Sequence, residues 1–243
     1  MTTLPGPRSA AEIRTYLKDH LNQALRRPGM FGGETALCLL FDHLAYAEHQ
    51  ETEWAQALQS LEARGVFNAL GVTGALATVL PGPCDDGVAS IYAELAHDRR
   101  WLQADRTLTT EDHASLRRKL TAWAAHDRTL AEVREEFGPP SVLLSGTNPC
   151  FGKTLAYLTE QATEPIIFFH LWNGGPDETD RIWRSIYDEP VLLAVRFGRG
   201  TFKDTLTFTP EGSRRRPAWH PRSSAGYYAV WPLQFQSART RDT

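Results

Sequence analysis

Apolar residues recur every three to four positions through the first half of the chain, and alternate or form short unbroken runs through the second. The first stripe is Ile13, Leu17, Leu21 and Leu25, a spacing that lays four side chains on one helical face. Ser9 and Glu12 stand three apart in front of it, as in a capping box, where serine hydroxyl and glutamate carboxylate each satisfy a free N–H at the helix start. A helix is predicted from about Ala10 to Arg27, stopped by Pro28-Gly29. A second begins near Glu34 with Leu37, Leu40, Phe41, Leu44 and Ala45 inward, and a third runs from about Thr52 to Arg64 through Trp54, Leu58 and Leu61. The apolar stretch from Gly65 to Leu80 reads as helix despite its glycines, each of which costs about 1 kcal/mol relative to alanine. After the break at Pro81-Gly82-Pro83, helices are predicted over about Asp86–Gln103 and Thr110–His126.

Thr129 and Glu132 form a second capping box, opening a short helix that ends at Gly138-Pro139-Pro140. Beyond it the period changes. Val142–Leu144, Thr154–Leu158, Ile166–Trp172, Val191–Arg196 and Thr205–Phe208 are short runs bounded by Gly, Pro, Asn and Asp, which is how strands read. Tyr227–Phe235 reads as a last strand, with Pro232 placing it at an edge. The pattern predicts an α+β fold: an all-helical region over 1–128, and over 129–243 a short helix plus a mostly antiparallel sheet packed on it. No low-complexity linker separates the two, and no internal repeat occurs.

Composition narrows the partners more than it names them. The 243 residues carry 26 basic and 29 acidic side chains, a net charge of −3. No bulk positive field exists to coat nucleic acid or an anionic membrane. No run of about 18 apolar residues occurs, and the N-terminal segment has no apolar core of the signal-peptide kind. The three cysteines, Cys38, Cys84 and Cys150, lie far apart without C-x-x-C or zinc spacing, so reduced thiols and a cytoplasmic location are expected, with no metal site and no cofactor.

Four segments carry candidate chemistry. Gly146-Thr-Asn-Pro-Cys-Phe-Gly152-Lys153-Thr154 follows a strand, as a phosphate-binding loop does, but five residues separate its first Gly from Gly-Lys where that loop has four. Pro149 also removes an N–H donor. The segment reads as a turn between strands with Lys153 in solvent, or as an anion clamp through Lys153. Arg26-Arg27-Pro28-Gly29-Met30-Phe31-Gly32-Gly33, with Leu40-Phe41-Asp42 on the next helix, resembles the start of the ATPase domain of type II DNA topoisomerases. That resemblance spans about sixteen residues and stops there: the metal-binding Asn has no counterpart on the helix, and Asp85-Asp86-Gly87 lacks the second Gly of D-x-G-x-G. Together with F-G-P-P-S and F-H-L-W-N later on, the pattern is also similar to proteins of high-GC bacteria, which implies no activity and supplies no site residue.

Phe169-His170-Leu171-Trp172-Asn173 lies on a predicted strand and leads to the acidic residues Asp177, Glu178 and Asp180. Alternation puts His170 and Trp172 on one face, so His170 and Asp177 are candidates for an acid–base pair. Arg214-Arg215-Arg216, followed by Trp219 and His220, is the local basic cluster: three guanidiniums for paired hydrogen bonds and a ring for stacking, on what reads as a hairpin loop. With no complete catalytic set, the leading expectation is a non-catalytic interaction protein of immunity or adaptor type, with a protein partner meeting the charged loops. The alternative is an enzyme on a small anionic substrate, with Lys153 or the arginines as clamp and His170 with a loop carboxylate as acid and base.

Overall fold

The computed structural model describes residues 9–82, 84–176 and 182–217. Both halves of the first capping box form: the Glu12 N–H donates to Ser9 Oγ, and the Ser9 N–H donates to the Glu12 carboxylate at 3.1 Å. Helix α1 (Ala10–Arg26) follows. Pro28 opens the one-turn helix α2 (Pro28–Phe31), and Gly32, at φ 96°, makes the left-handed turn from which α3 (Gly33–Glu48) starts. Next come α4 (Glu51–Ala63), α5 (Gly71–Leu76) and α6 (Asp85–Asp98). The stretch 65–80 is helical only at α5, because Gly65 and Gly71 take φ values of 73° and 74° and turn the chain.

Helix α6 is buried on every side from Gly87 to His97, with Ala89, Ser90, Ala93 and Ala96 small enough to admit close neighbours. It stops at Asp98, short of the predicted Gln103, and the following chain is tied to α1 by Asn22. The Asn22 amide donates to the Trp101 carbonyl at 2.8 Å and accepts from the Gln103 N–H at 2.7 Å.

Helices α7 (Thr110–Trp123) and α8 (Leu130–Phe137) precede the strands. The strands are β1 (Val142–Leu144), β2 (Lys153–Tyr157), β3 (Ile167–Trp172), β4 (Gly175–Pro176), β5 (Trp183–Arg184), β6 (Val191–Arg196) and β7 (Leu206–Phe208), and α9 (Pro210–Arg215) follows them. Among the described residues they form a five-stranded antiparallel sheet of order β1-β2-β3-β6-β7 and a small β4-β5 ribbon. This is an α+β fold. The expected strand over 227–235 lies outside the described residues.

The sheet is covered on both faces, which explains why β2, β3 and β6 are buried along nearly their whole length. Val142, Leu144, Ala156, Phe168 and Ala194 pack with α1, α3 and α6 in one core. Leu155, Tyr157, Ile167, Phe169 and Leu171 pack with Leu116, Leu120, Leu130 and Val133 of α7 and α8 in a second. The helix over 110–123 therefore sits with α8 on the face of the sheet opposite α1, α3 and α6. Across the middle, Glu94 of α6 accepts from Arg64 at 2.9 Å and from Arg196 of β6 at 2.5 Å, with Glu94 and Arg196 both buried.

Candidate functional site

A cleft of about 770 Å³ opens where α1 and α2 meet the start of α6 and the ends of β1, β2 and β3. Its wall is drawn from segments far apart in sequence: Arg26 to Met30, Leu80 and Pro81 with Cys84 to Asp86, Ser145 to Asn148 with Phe151 and Gly152, and His170 to Trp172. Backbone geometry departs from regularity here. Ser145 adopts φ 138°, rare for a residue with a side chain, and its N–H donates to the Arg26 carbonyl at 3.1 Å. At Gly152 a Cβ would lie 2.9 Å from the Leu171 carbonyl oxygen, so the turn passes too close to β3 for any other residue. Between β3 and β6 the register shifts at His170/Leu171: His170 pairs with Ala194 and Leu171 with Leu192, leaving Leu193 as the bulged residue that also lines the cleft.

The register across the sheet places Thr154 beside His170. Thr154 Oγ1 donates to Asp86 Oδ2 at 2.8 Å and meets His170 Nδ1 at 3.0 Å, so the three side chains form one chain from α6 through β2 to β3. His170 is 2% exposed, and its Nε2 has no partner among the described residues. Burial, with Arg196 nearby, pushes its imidazolium pKa down to about 3, so the ring is neutral. Asp86 moves the other way. Burial raises it to about 6, against the Thr154 hydroxyl and the N–H groups of the helix end, with the Asp85 charge adding to the rise. Asp85 is also raised by burial; it faces Gly29 and Gly33, where added Cβ atoms would lie 3.2 and 3.5 Å from its oxygens.

Lys153 and the glycine turn depart from the expected arrangement. The turn leads into a strand, whereas a phosphate loop leads into a helix. Lys153 is buried, not solvated, and its Nζ donates to the carbonyls of Gly146 and Asn148 at 2.7 and 2.6 Å. The loop therefore turns carbonyl oxygens toward its own lysine, the reverse of an N–H cradle for an anion, and burial lowers the lysine's pKa. Asn173, fully buried, ties the neighbouring loops together. Its amide donates to the carbonyls of Pro149 and Tyr187, and its oxygen accepts from the N–H groups of Ile186 and Tyr187.

The arginine cluster lies on and just after the helix α9, and the hairpin-loop expectation is corrected. Thr209 caps this helix, and Glu211 accepts from both Arg214 and Arg215, with Arg214 also on Asp127 at 3.1 Å. Arg215 lies 4.8 Å over the ring of Trp172, and Arg216 5.0 Å over Phe208. These guanidiniums are engaged within the molecule. Asp177, Trp219 and His220 lie outside the described residues, so the His170–Asp177 pairing has no geometry here; the carboxylate linked to His170 is Asp86.

Among the described residues, no group of three or more His, Cys, Asp or Glu is arranged to hold a metal, and no helix is long and apolar enough to cross a membrane. The thiols of Cys38, Cys84 and Cys150 are free, and burial raises the pKa of Cys38 and Cys84. Phe151, Trp172 and Trp183 supply aromatic wall to the cleft; the Trp172 indole N–H has no partner among the described residues, whereas that of Trp183 donates to the Cys150 carbonyl at 2.8 Å. No protein-family model, curated protein or solved structure matches this chain.

Proposed function

We propose that the cleft binds a small molecule with an apolar or aromatic body and a cationic, hydrogen-bond-donating head. The carrying observation is that a cleft of about 770 Å³, walled by Phe151, Trp172 and Trp183, contains a half-buried carboxylate, Asp85, with no hydrogen bond or ion pair among the described residues. A desolvated carboxylate in a cleft with aromatic walls favours a cation, through charge and, where the head reaches a ring face, through the ring quadrupole. An anion finds less. Lys153 is spent on loop carbonyls, and Arg26 on Asp105 and the Gln103 carbonyl, which leaves Arg27. For this reason the cationic ligand is preferred here over the small anionic substrate expected from sequence.

The test is a charge-matched series of one shape: phenethylamine, phenethyl alcohol and 3-phenylpropionate, followed by tryptophan fluorescence and by amide shifts of cleft residues. The amine is expected to bind at least tenfold more tightly than the alcohol, and Asp85→Asn to erase that preference. Gly146→Trp, at a position where a Cβ meets nothing within 4 Å, fills the cleft and abolishes binding. Preference for the carboxylate overturns the cationic reading. Silence of cleft residues toward this series and a broad fragment library overturns the cleft itself.

A second reading keeps a protein partner of immunity or adaptor type and has the same cleft receive one of its basic side chains. It is favoured by exposed apolar side chains beside the cleft, Met30 at 77% and Ile182 at 59% exposure, next to cleft-lining Trp183. Capture of a partner from host lysate that is lost in Gly146→Trp would support it. Three free thiols fit a cytoplasmic location for either reading.

A further inference from the structure

We infer that Asp86, Thr154 and His170 form a proton relay in the wall of the cleft, with His170 Nε2 at the end that receives the proton and Asp86, which also borders the cleft, at the other. The inference rests on the cleft reading only for the identity of the proton donor, the N–H of a cationic head.

The hydrogen-bond inventory fixes the direction. A threonine hydroxyl has one proton and a carboxylate only accepts. With Asp86 ionised, the Thr154 proton lies on the 2.8 Å bond to Asp86 Oδ2, so the 3.0 Å contact to His170 requires Nδ1 to donate. The neutral ring then carries its proton on Nδ1, leaving Nε2 as a bare lone pair on a residue that lines the cleft. Nε2 has no partner among the described residues, and in the relay it is the atom that accepts from the ligand's donor.

A proton leaving the donor forms Nε2–H as the donor's own N–H breaks. The Nδ1 proton passes to Thr154 Oγ1, whose former proton passes to Asp86 Oδ2. Three bonds to hydrogen break and three form. The donor loses one positive charge, the carboxylate loses one negative charge, and the imidazole ends neutral in the other tautomer. The ring never becomes a cation, consistent with burial and Arg196 suppressing imidazolium until about pH 3, while Asp86 takes up a proton near pH 6. The charged and titratable groups around the relay are Cys84 and Asp85 beside Asp86 on the same helix end, Lys153 on β2, whose charge acts on Asp86, and Arg196 on β6. Phe168 lies nearly parallel to the His170 ring, at 6.3 Å.

Ring ¹⁵N spectra of the ligand-free, full-length chain test this directly, with His170 assigned by its absence in His170→Gln or, if that variant does not fold, through backbone connectivity. Expected at pH 8 is a neutral ring protonated on Nδ1; at pH 5 the proton is on Nε2, with the midpoint near pH 6 and no imidazolium above pH 4. In Thr154→Val the tautomer ratio should no longer follow pH between 5 and 8. A ring protonated on Nε2 at pH 8, an unchanged tautomer at pH 5, or a second ring proton appearing near pH 6 would each overturn the relay. No ligand is used, so failure of the amine series leaves this result standing, and a fixed tautomer leaves the cleft's occupancy standing.

Discussion

Replacing Asp86 with asparagine should stabilise the protein at alkaline pH and do little at acid pH. Asp86 has a folded pKa near 6, against 3.8 for the free side chain. Between those values the folded state binds more protons than the unfolded one, so this group makes stability fall as pH rises, and the cost is fully present above about pH 7. At about 1.4 kcal/mol per pH unit, the ionised carboxylate costs roughly 3 kcal/mol at pH 8, an upper figure because Asp86 borders an open cleft. The asparagine side chain resembles the protonated acid, and its amide N–H can donate to Thr154 Oγ1 as the acid's O–H does. The stability difference between Asp86→Asn and wild type should therefore grow in favour of the variant by roughly 2 to 3 kcal/mol between pH 4 and pH 8. The assay is urea unfolding, followed by tryptophan fluorescence, at half-unit steps of pH. His170 contributes with opposite sign: its folded pKa near 3 lies below the usual 6.5, so its share of stability is present above pH 6.5 and lost on acidification. That share exists in both proteins, so to first order the difference between them isolates Asp86. A difference that stays constant across the range, or favours wild type more strongly at pH 8, refutes the assignment of Asp86 as a desolvated carboxylate.

Two further expectations concern the scaffold. Thr129→Ala removes the hydroxyl that accepts from the Glu132 N–H at 3.3 Å and should cost about 1 kcal/mol in urea melts, with a single transition retained because one apolar core joins α1, α3 and α6 to the sheet. Glu94→Gln leaves Arg196, 1% exposed, without its counter-charge and should cost about 3 to 5 kcal/mol by the same measurement; a loss below 1 kcal/mol would mean that water reaches the pair.

Local signals in the sequence located elements well where the physics is local. Both capping boxes, the stop at Pro28-Gly29 and the period change after Thr129 correspond to real boundaries, because each is decided within four or five residues. Helix α7 shows the limit: its apolar stripe establishes a helix, but which face of the sheet it covers depends on strands that follow it in the chain. The arginine triplet was legible in part. Thr209-Pro210 opens a helix, and Glu211 stands three and four residues before Arg214 and Arg215, the spacing of helical ion pairs, but the run of like charge reads more loudly as a loop.

The site was legible only in pieces. The R-P-G-M segment, the Asp85-Asp86 pair, the glycine turn and the F-H-L-W strand each stood out, but no one of them carries a complete chemistry, and their meeting depends on sheet register and on the bulge at Leu193. Thr154 stood out only as the end of the phosphate-loop-like turn, and nothing in the sequence pairs it with His170 or Asp86. Even in three dimensions an unpaired buried ring nitrogen is not diagnostic, since His97 and His113 also leave Nε2 without a partner among the described residues. Neither lines the cleft, and His113 packs its ring against Phe197 with Nδ1 3.8 Å from Glu164, an arrangement that a neutral, inert histidine satisfies. What separates His170 is coincidence. Its free nitrogen belongs to a residue that lines the cleft, its bonded nitrogen leads through one hydroxyl to a carboxylate with a pKa near 6, and the adjoining wall holds the unusual φ of Ser145. Unfavourable backbone and unpaired polar atoms each work against folding, and although most such atoms among the described residues lie elsewhere, Ser145, His170 and Trp172 bring both kinds to one open cavity, where the proposed ligand would supply the missing partners.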